Sequence, residues 1–297
     1  MYKLKKWIDI ENIHIRSLSG NPNPTAIPFL EKNQDKINWF ELSANPNAIS
    51  LLEKNLDKIN WFGLSTNPNA IHLLQQNQDK IQWFDLSRNP NAIHLLEKNQ
   101  DKIDWFDLSA NPNAIPLLEK HPDKICWAGL SANPNAIPLL EKHPDKICWA
   151  GLSLNPNAIP LLEQNLHKIN WDMLSRNQNA IPLLEKNPDK INWFSLLKNP
   201  NAIHLLEKNL HKINWRQLSL NKNPKAIDII EKNLDKLDNQ CWEHLSQNPS
   251  IFELDYEELK KRCIIYKEEL IQKAFHPSRI QKYLDMGISI DELDNCI

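Results

Sequence analysis

Tryptophan falls at positions 39, 61, 83, 105, 127, 149, 171, 193 and 215, a strict spacing of 22 residues. A fixed period of that length is the signature of a repeat architecture and narrows the possible folds more than any other feature of the chain. Around each tryptophan the sequence rewrites NPNAIxLLEKNxDKIxWFxLSx. Residues 111–131 and 133–153 are identical, both reading NPNAIPLLEKHPDKICWAGLS. A 22-residue unit is too short to bury an apolar face alone, and isolated helices below about 12–15 residues are marginal in water. Stability must therefore come from stacking unit on unit, and identical units make identical interfaces. About ten copies run from Asn21 to Ser246, with Trp7 and Trp242 off the grid and a degraded start, QNPSIFEL, after them.

The prolines place the helices. Proline is free of cost only in a first turn, where its missing N–H has no intrahelical partner. In the copy that begins at Asn111, an N-cap at Asn113 puts Pro116 third in a helix that runs to Lys120. Ala114, Ile115, Leu117 and Leu118 then share one arc of about 160°. Pro122 starts a second helix that is predicted to continue through Ile125, Trp127 and Leu130 and to stop before Asn133-Pro134. The chain contains no valine, two threonines (Thr25 and Thr66) and five glycines, which starves strands and tight hairpins. The expected fold is all-α: an α-solenoid of about ten 22-residue helix–turn–helix repeats (21–246), an N-terminal cap (1–20) and a C-terminal helical cap (247–297). In that cap, 254–275 reads as a longer amphipathic helix, and 276–287 and 289–297 as two shorter ones. At helix spacings of ~8–10 Å an open stack of ten units spans on the order of 80–100 Å. A leucine-rich repeat shares the period, and FDLSRN has some of its flavour. The missing valine and threonine and the first-turn prolines argue against it.

Some polar positions hardly change. A lysine column (Lys36, Lys58, Lys80 and onward to Lys236) carries an acid before nearly every member, with His167 and His211 as exceptions. A glutamate column (Glu31 to Glu231) is broken by Gln75. Such columns read as mutually paired charge rather than as a phosphate track. The asparagines of NPN read as caps, turn formers and an inter-unit hydrogen-bond ladder.

Variation between copies concentrates on the tryptophan helix. On a helical wheel the residues one, two and five places after tryptophan, with the one before it, fall in one half. The fixed isoleucine is a misfit inside that half. A candidate binding face follows: Phe40, Glu41, Phe62, Phe84, Asp85, Arg88, Phe106, Asp107, Asp172, Met173, Arg176, Phe194, Lys198, Arg216 and Gln217. A solvated, merely tolerant face explains variation equally simply. The phenylalanine column favours recognition, because aromatic residues are enriched at interface anchors; burial of those rings between units is the other reading.

Motifs for catalysis or cofactors are missing: the chain has no GxGxxG, P-loop, HExxH or CxxC. No catalytic residue, metal ligand or cofactor is assigned. His121 with Cys126, and His143 with Cys148, are one unit copied, and asparagine replaces both types in other copies. The net charge of −2 gives no bulk attraction to phosphate. A sequence-reading nucleic-acid solenoid is the alternative, but the variable set includes Glu41, Asp85, Asp104, Asp107 and Asp172. A structural, self-assembling role is another. No run approaches the ~18 apolar residues of a membrane span. The odd cysteine count and the lack of a signal-peptide run suggest an intracellular, non-secreted protein. The expected function is a non-enzymatic scaffold that binds a protein partner through the variable face.

Arrays of NPNAIxLLEKNxDKIxWxxLS closed by YKEELIQKAFHPSRIQKYLDMGISIDELDN resemble uncharacterised repeat proteins that giant DNA viruses of the mimivirus type encode in many copies. The resemblance covers nearly the whole chain. It implies a viral protein acting in the host cytoplasm or packaged in the virion, with a host or virion protein as partner, and brings no activity or site residues. This chain departs from the pattern at two inserts flanking Ile227 and at Gln178, where proline is usual.

Overall fold

The protein is described by a computed structural model at residues 2–274 and 276–286; the helix expected at 289–297 lies outside the described residues. Two units are resolved, one of residues 4–252 and one holding residues 2–3 together with 253–274 and 276–286.

Each copy in the larger unit has three short pieces. In the reference copy these are an α-helix at Ile115–Lys120, a single 3-10 turn at Pro122–Lys124 and an α-helix at Trp127–Ala132. The first helix begins behind Ala114, whose side chain caps nothing, so Asn113 is not its N-cap. Pro116 lies in the first turn, where no hydrogen bond is lost. The second helix is not continuous. Ile125 (φ −62°, ψ 121°) and Cys126 (φ −86°, ψ 103°) are extended and divide the 3-10 turn from the tryptophan helix. This break explains the misfit isoleucine. Off the helix, the column is free to turn inward, and Ile37, Ile59, Ile81 and Ile103 are buried in the core. The break also makes the residue before tryptophan an N-cap. Asn60, Asp104, Asn170, Asn192 and Asn214 each accept the N–H three residues on, and Asn38 accepts that of Phe40. At these six copies the position serves as a cap, while Gln82, Cys126 and Cys148 make no such bond.

The copies are joined by buried asparagines. Asn133 donates from Nδ2 to the carbonyl of Ser109 (3.1 Å), at the end of the copy two before its own, and to that of Asn111 (2.8 Å), which opens the preceding copy, and its Oδ1 accepts the N–H of Asn135 (2.9 Å). The same three bonds recur at Asn45, Asn67, Asn89, Asn111, Asn155, Asn177, Asn199 and Asn221. A second ladder runs from the other asparagine of NPN, as in Asn135 Nδ2 to the Pro112 carbonyl at 2.9 Å. A third uses serine: Ser109 Oγ donates to the Trp105 carbonyl and accepts the N–H of Cys126 in the next copy.

These ladders do not end. Asn21 donates to the carbonyls of Ser246 (2.9 Å) and Asn248 (3.0 Å), Asn23 to that of Pro249, and the N–H of His14 to Ser246 Oγ (2.9 Å). Asn248 continues the pattern back to Ser219 and Asn221. The helix Ile15–Leu18 packs on Asn239–Gln247 as any tryptophan helix packs on its neighbour. The solenoid is therefore a closed ring of eleven copies, marked by eleven buried asparagines from Asn21 to Asn248, and the expected open stack of 80–100 Å is wrong. Ile13–Gly20 forms the second half of a copy, with Ile15 in the tryptophan place; it is a joint rather than cover for a free end. The inserts near the end are absorbed as longer helices, Pro224–Glu231 and Asn239–Gln247, which keep Trp242 in register.

Neighbouring tryptophan helices pack directly on one another, whereas the AIxLL helices of successive copies approach less closely. In a closed ring the spacing between copies grows with radius, so the tryptophan helices form the inner wall and the AIxLL helices the outer one. Eleven helices at ~8–10 Å spacing place their axes on a circle about 30 Å across. Between the walls lies one continuous core with Leu42, Leu64, Leu86, Leu108, Leu130 and their equivalents fully buried. Each such leucine contributes roughly 1.5–3 kcal/mol.

In the smaller unit, Lys3 and Asp255 form an ion pair at 3.2 Å. The helix Tyr256–Ala274 keeps Tyr256, Ile264, Tyr266 and Leu270 exposed, and Pro277–Asp285 follows it.

Candidate functional site

The three variable positions after tryptophan have three different fates. The first projects from the inner wall: Phe40, Phe62, Phe84, Phe106 and Phe194 are all about half exposed. The first four belong to successive copies, and the Phe40 and Phe62 rings stand 5.7 Å apart. These rings are not buried between units. Asp172 and Arg216 share the position and are exposed, tied to Asn192 Nδ2 (2.7 Å) and to Asp238 (2.6 Å).

The second position sits in the joint between adjacent tryptophan helices, so the residues it buries do not stand on an exposed face. A Cβ at Gly63 would run into the Phe40 carbonyl oxygen, and at Gly129 and Gly151 it would lie 2.8 Å from the Phe106 and Ala128 carbonyls. Asp85 and Asp107 are buried here at 5% and 1% exposure, and Glu41, Met173 and Gln217 are half-buried. The fifth position is exposed at Arg88, Arg176 and Lys198.

At the duplicated copies the inner wall changes character. Ala128 and Ala150 replace phenylalanine, and Gly129 and Gly151 let the helices close up beneath them. The result is a cavity of about 510 Å³ with Ala128, Gly129, Ala132 and Gly151 along it, Phe106 and Cys148 at its sides, and Arg88 with Asp107 at one end. Arg88 Nε forms an ion pair with Asp107 Oδ1 at 2.6 Å, and its guanidinium carbon lies 5.5 Å from the Phe84 ring centre. Asp107 Oδ2 is buried and has no hydrogen-bond partner. Burial pushes the Asp85 carboxyl above its ordinary value; Arg88 opposes the shift and Asp107 adds to it.

A second cavity, about 650 Å³, opens where Ile15 stands in the tryptophan place. It is lined by Arg16, Asp35, Lys36 and Trp39 among others, and a missing indole accounts for it.

The invariant columns are occupied elsewhere. Lys58, Lys80, Lys102, Lys168 and Lys212 lie over the tryptophan of the preceding copy at 4.2–5.1 Å from the ring centre. Lys124, Lys146, Lys190 and Lys236 instead approach the aspartate before them. His121 and His143 pack on Trp105 and Trp127 with ring centres 5.1 Å apart. Glutamates of the outer wall meet Lys54, Lys120 and Lys186 of the next copy, or His72 and His204. Among the described residues no group of three or more His, Cys, Asp or Glu side chains could hold a metal ion, and no helix is long and apolar enough to cross a membrane.

Of the sequence-derived face, Phe40, Phe62, Phe84, Arg88 and Phe106 are exposed in successive copies, with Arg88 and Phe106 lining the cavity, while Asp172, Arg176, Phe194, Lys198 and Arg216 lie in later copies. The small residues that shape the cavity were missed, although WAG at 127–129 and 149–151 was their signal. No protein family, curated protein or solved structure matches the chain.

Proposed function

We propose that the ring is a non-enzymatic scaffold that binds a protein partner through its inner wall. The carrying observation is the run of exposed phenylalanines from four successive copies, ending at a cavity. Contiguous exposed apolar surface marks interaction sites, because a solvated row of aromatic rings is otherwise a liability. The repeated backbone holds those rings at fixed intervals, so the ordering cost of binding falls mainly on the partner. The resemblance to giant-virus repeat proteins adds that the partner is a host or virion protein and the setting intracellular.

Photo-crosslinking tests this. A photoreactive residue at Phe84 gives a discrete protein adduct in infected or expressing cells, one at the outer-wall Lys98 does not, and alanine at Phe40, Phe62 and Phe106 removes the adduct. Equal labelling from both walls, or none from Phe84, contradicts the reading.

A further inference from the structure

The end of the cavity is short of positive charge. Asp85 and Asp107 are both buried, and Arg88 is paired with Asp107 alone. A third acid, Asp104, caps the same helix by accepting the Asp107 N–H at 2.9 Å. Arg88 pairs with Oδ1 of Asp107, and Oδ2 has no donor, an expensive state for a buried carboxylate. Burial raises the Asp85 carboxyl above its ordinary value, and the neighbouring Asp107 adds to that shift. Beside this charge lies an apolar channel of alanine and glycine surface, flanked by the open face of Phe106.

We propose that this cavity receives a cationic side chain of the protein partner, a lysine or arginine, which lays its aliphatic stem along Ala128, Gly129 and Ala132 and brings its positive head to the Asp107 carboxylate beside the Phe106 ring. The inference rests on the inner wall being a protein-binding surface and adds the chemistry of one anchor. Long cationic side chains bury their stems and keep the head on a polar or aromatic partner. A second cation balances the two carboxylates and supplies the missing donor. The alanine–glycine copies provide the room that phenylalanine fills elsewhere on the wall.

The full chain, ¹⁵N-labelled, is titrated with pentylammonium, pentylguanidinium, pentanoate and 1-pentanol, and the amides of Gly129, Ala132 and Gly151 are followed. The cations shift those amides, and whichever of the two binds more tightly names lysine or arginine. Pentanol binds about tenfold more weakly, the loss of one charge-assisted hydrogen bond. Ala128→Phe, which restores the residue of neighbouring copies and so folds, abolishes the shifts, and Asp107→Asn weakens cation binding about tenfold. Tighter binding of pentanoate, equal binding of pentanol, or no response at these amides overturns the proposal. Adducts at Phe84 without probe binding remove this anchor and leave the scaffold; probe binding without adducts does the reverse.

Discussion

Asn133 shows how much one side chain carries in this chain. Its amide satisfies two buried carbonyls, one from each of the two copies before it, and its oxygen holds the turn that starts its own copy. Alanine at this place removes three hydrogen bonds and strands buried carbonyls, so Asn133→Ala costs about 3 kcal/mol in urea unfolding. Asn135, two residues on, makes one exposed bond to Pro112, and Asn135→Ala costs under about 1 kcal/mol. Equal losses at the two positions would show that burial does not separate the ladders. At the same scale the sequence was read well where chemistry was local. The turn role of NPN and its ladder were legible because asparagine there has few other uses. The sequence marks the Phe column as variable and leaves exposure and burial between units both open, and it groups Asp85 and Asp107 with that column. Their neighbours differ by one helical step from Phe84 and Phe106, and a wheel cannot say which step faces an adjoining helix of another copy.

The short elements are held by their ends more than by their length. A six-residue helix has hardly one turn of internal bonds, so its cap is a large share of its stability. Cys126 and Cys148 occupy the cap place without capping. Cys126→Asn supplies the acceptor that Asn60 supplies to Gly63 and raises stability by about 0.5–1 kcal/mol, read from the thermal midpoint. Asp238 caps Asn239–Gln247 and holds Arg216; the Cys241 N–H bond and the Arg216 guanidinium lower its pKa to about 2 from an ordinary 3.8. The ionised form is thus favoured in the fold. Its contribution is complete above about pH 4 and is lost as the pH falls toward 2. Asp238→Asn melts lower than the parent at pH 7, and the gap closes near pH 2; a gap that persists there would exclude the charge as its cause. The second helix was misjudged because Pro122 and Trp127 both read as helical. What separates them is the inward pull on Ile125, a tertiary effect that periodicity does not encode.

Closure belongs to the larger unit as a whole, and it was not legible in the sequence. Each interface turns the next copy by an angle fixed by how Gly63, Asp85 or Met173 spaces two tryptophan helices, and only the sum over eleven copies returns to the start. The closing copy is also disguised: Ile15 stands where tryptophan belongs, and an insert precedes Trp242. A ring has no fraying ends. Amide exchange at Asn21 and Asn45, whose N–H groups bond within their own turns, is therefore as slow as at Asn133; an open solenoid would exchange faster at its terminal copies. The most direct test places spin labels at Arg16 and Glu243, exposed and equivalent positions of the first and last copies, in a chain whose native cysteines are replaced. Pulsed electron resonance then compares their separation with that of a pair on adjacent copies, Phe194 and Arg216. The closed ring gives the two pairs the same short distance; a separation of about 80–100 Å for the first pair, the length of an open ten-unit stack, would contradict it.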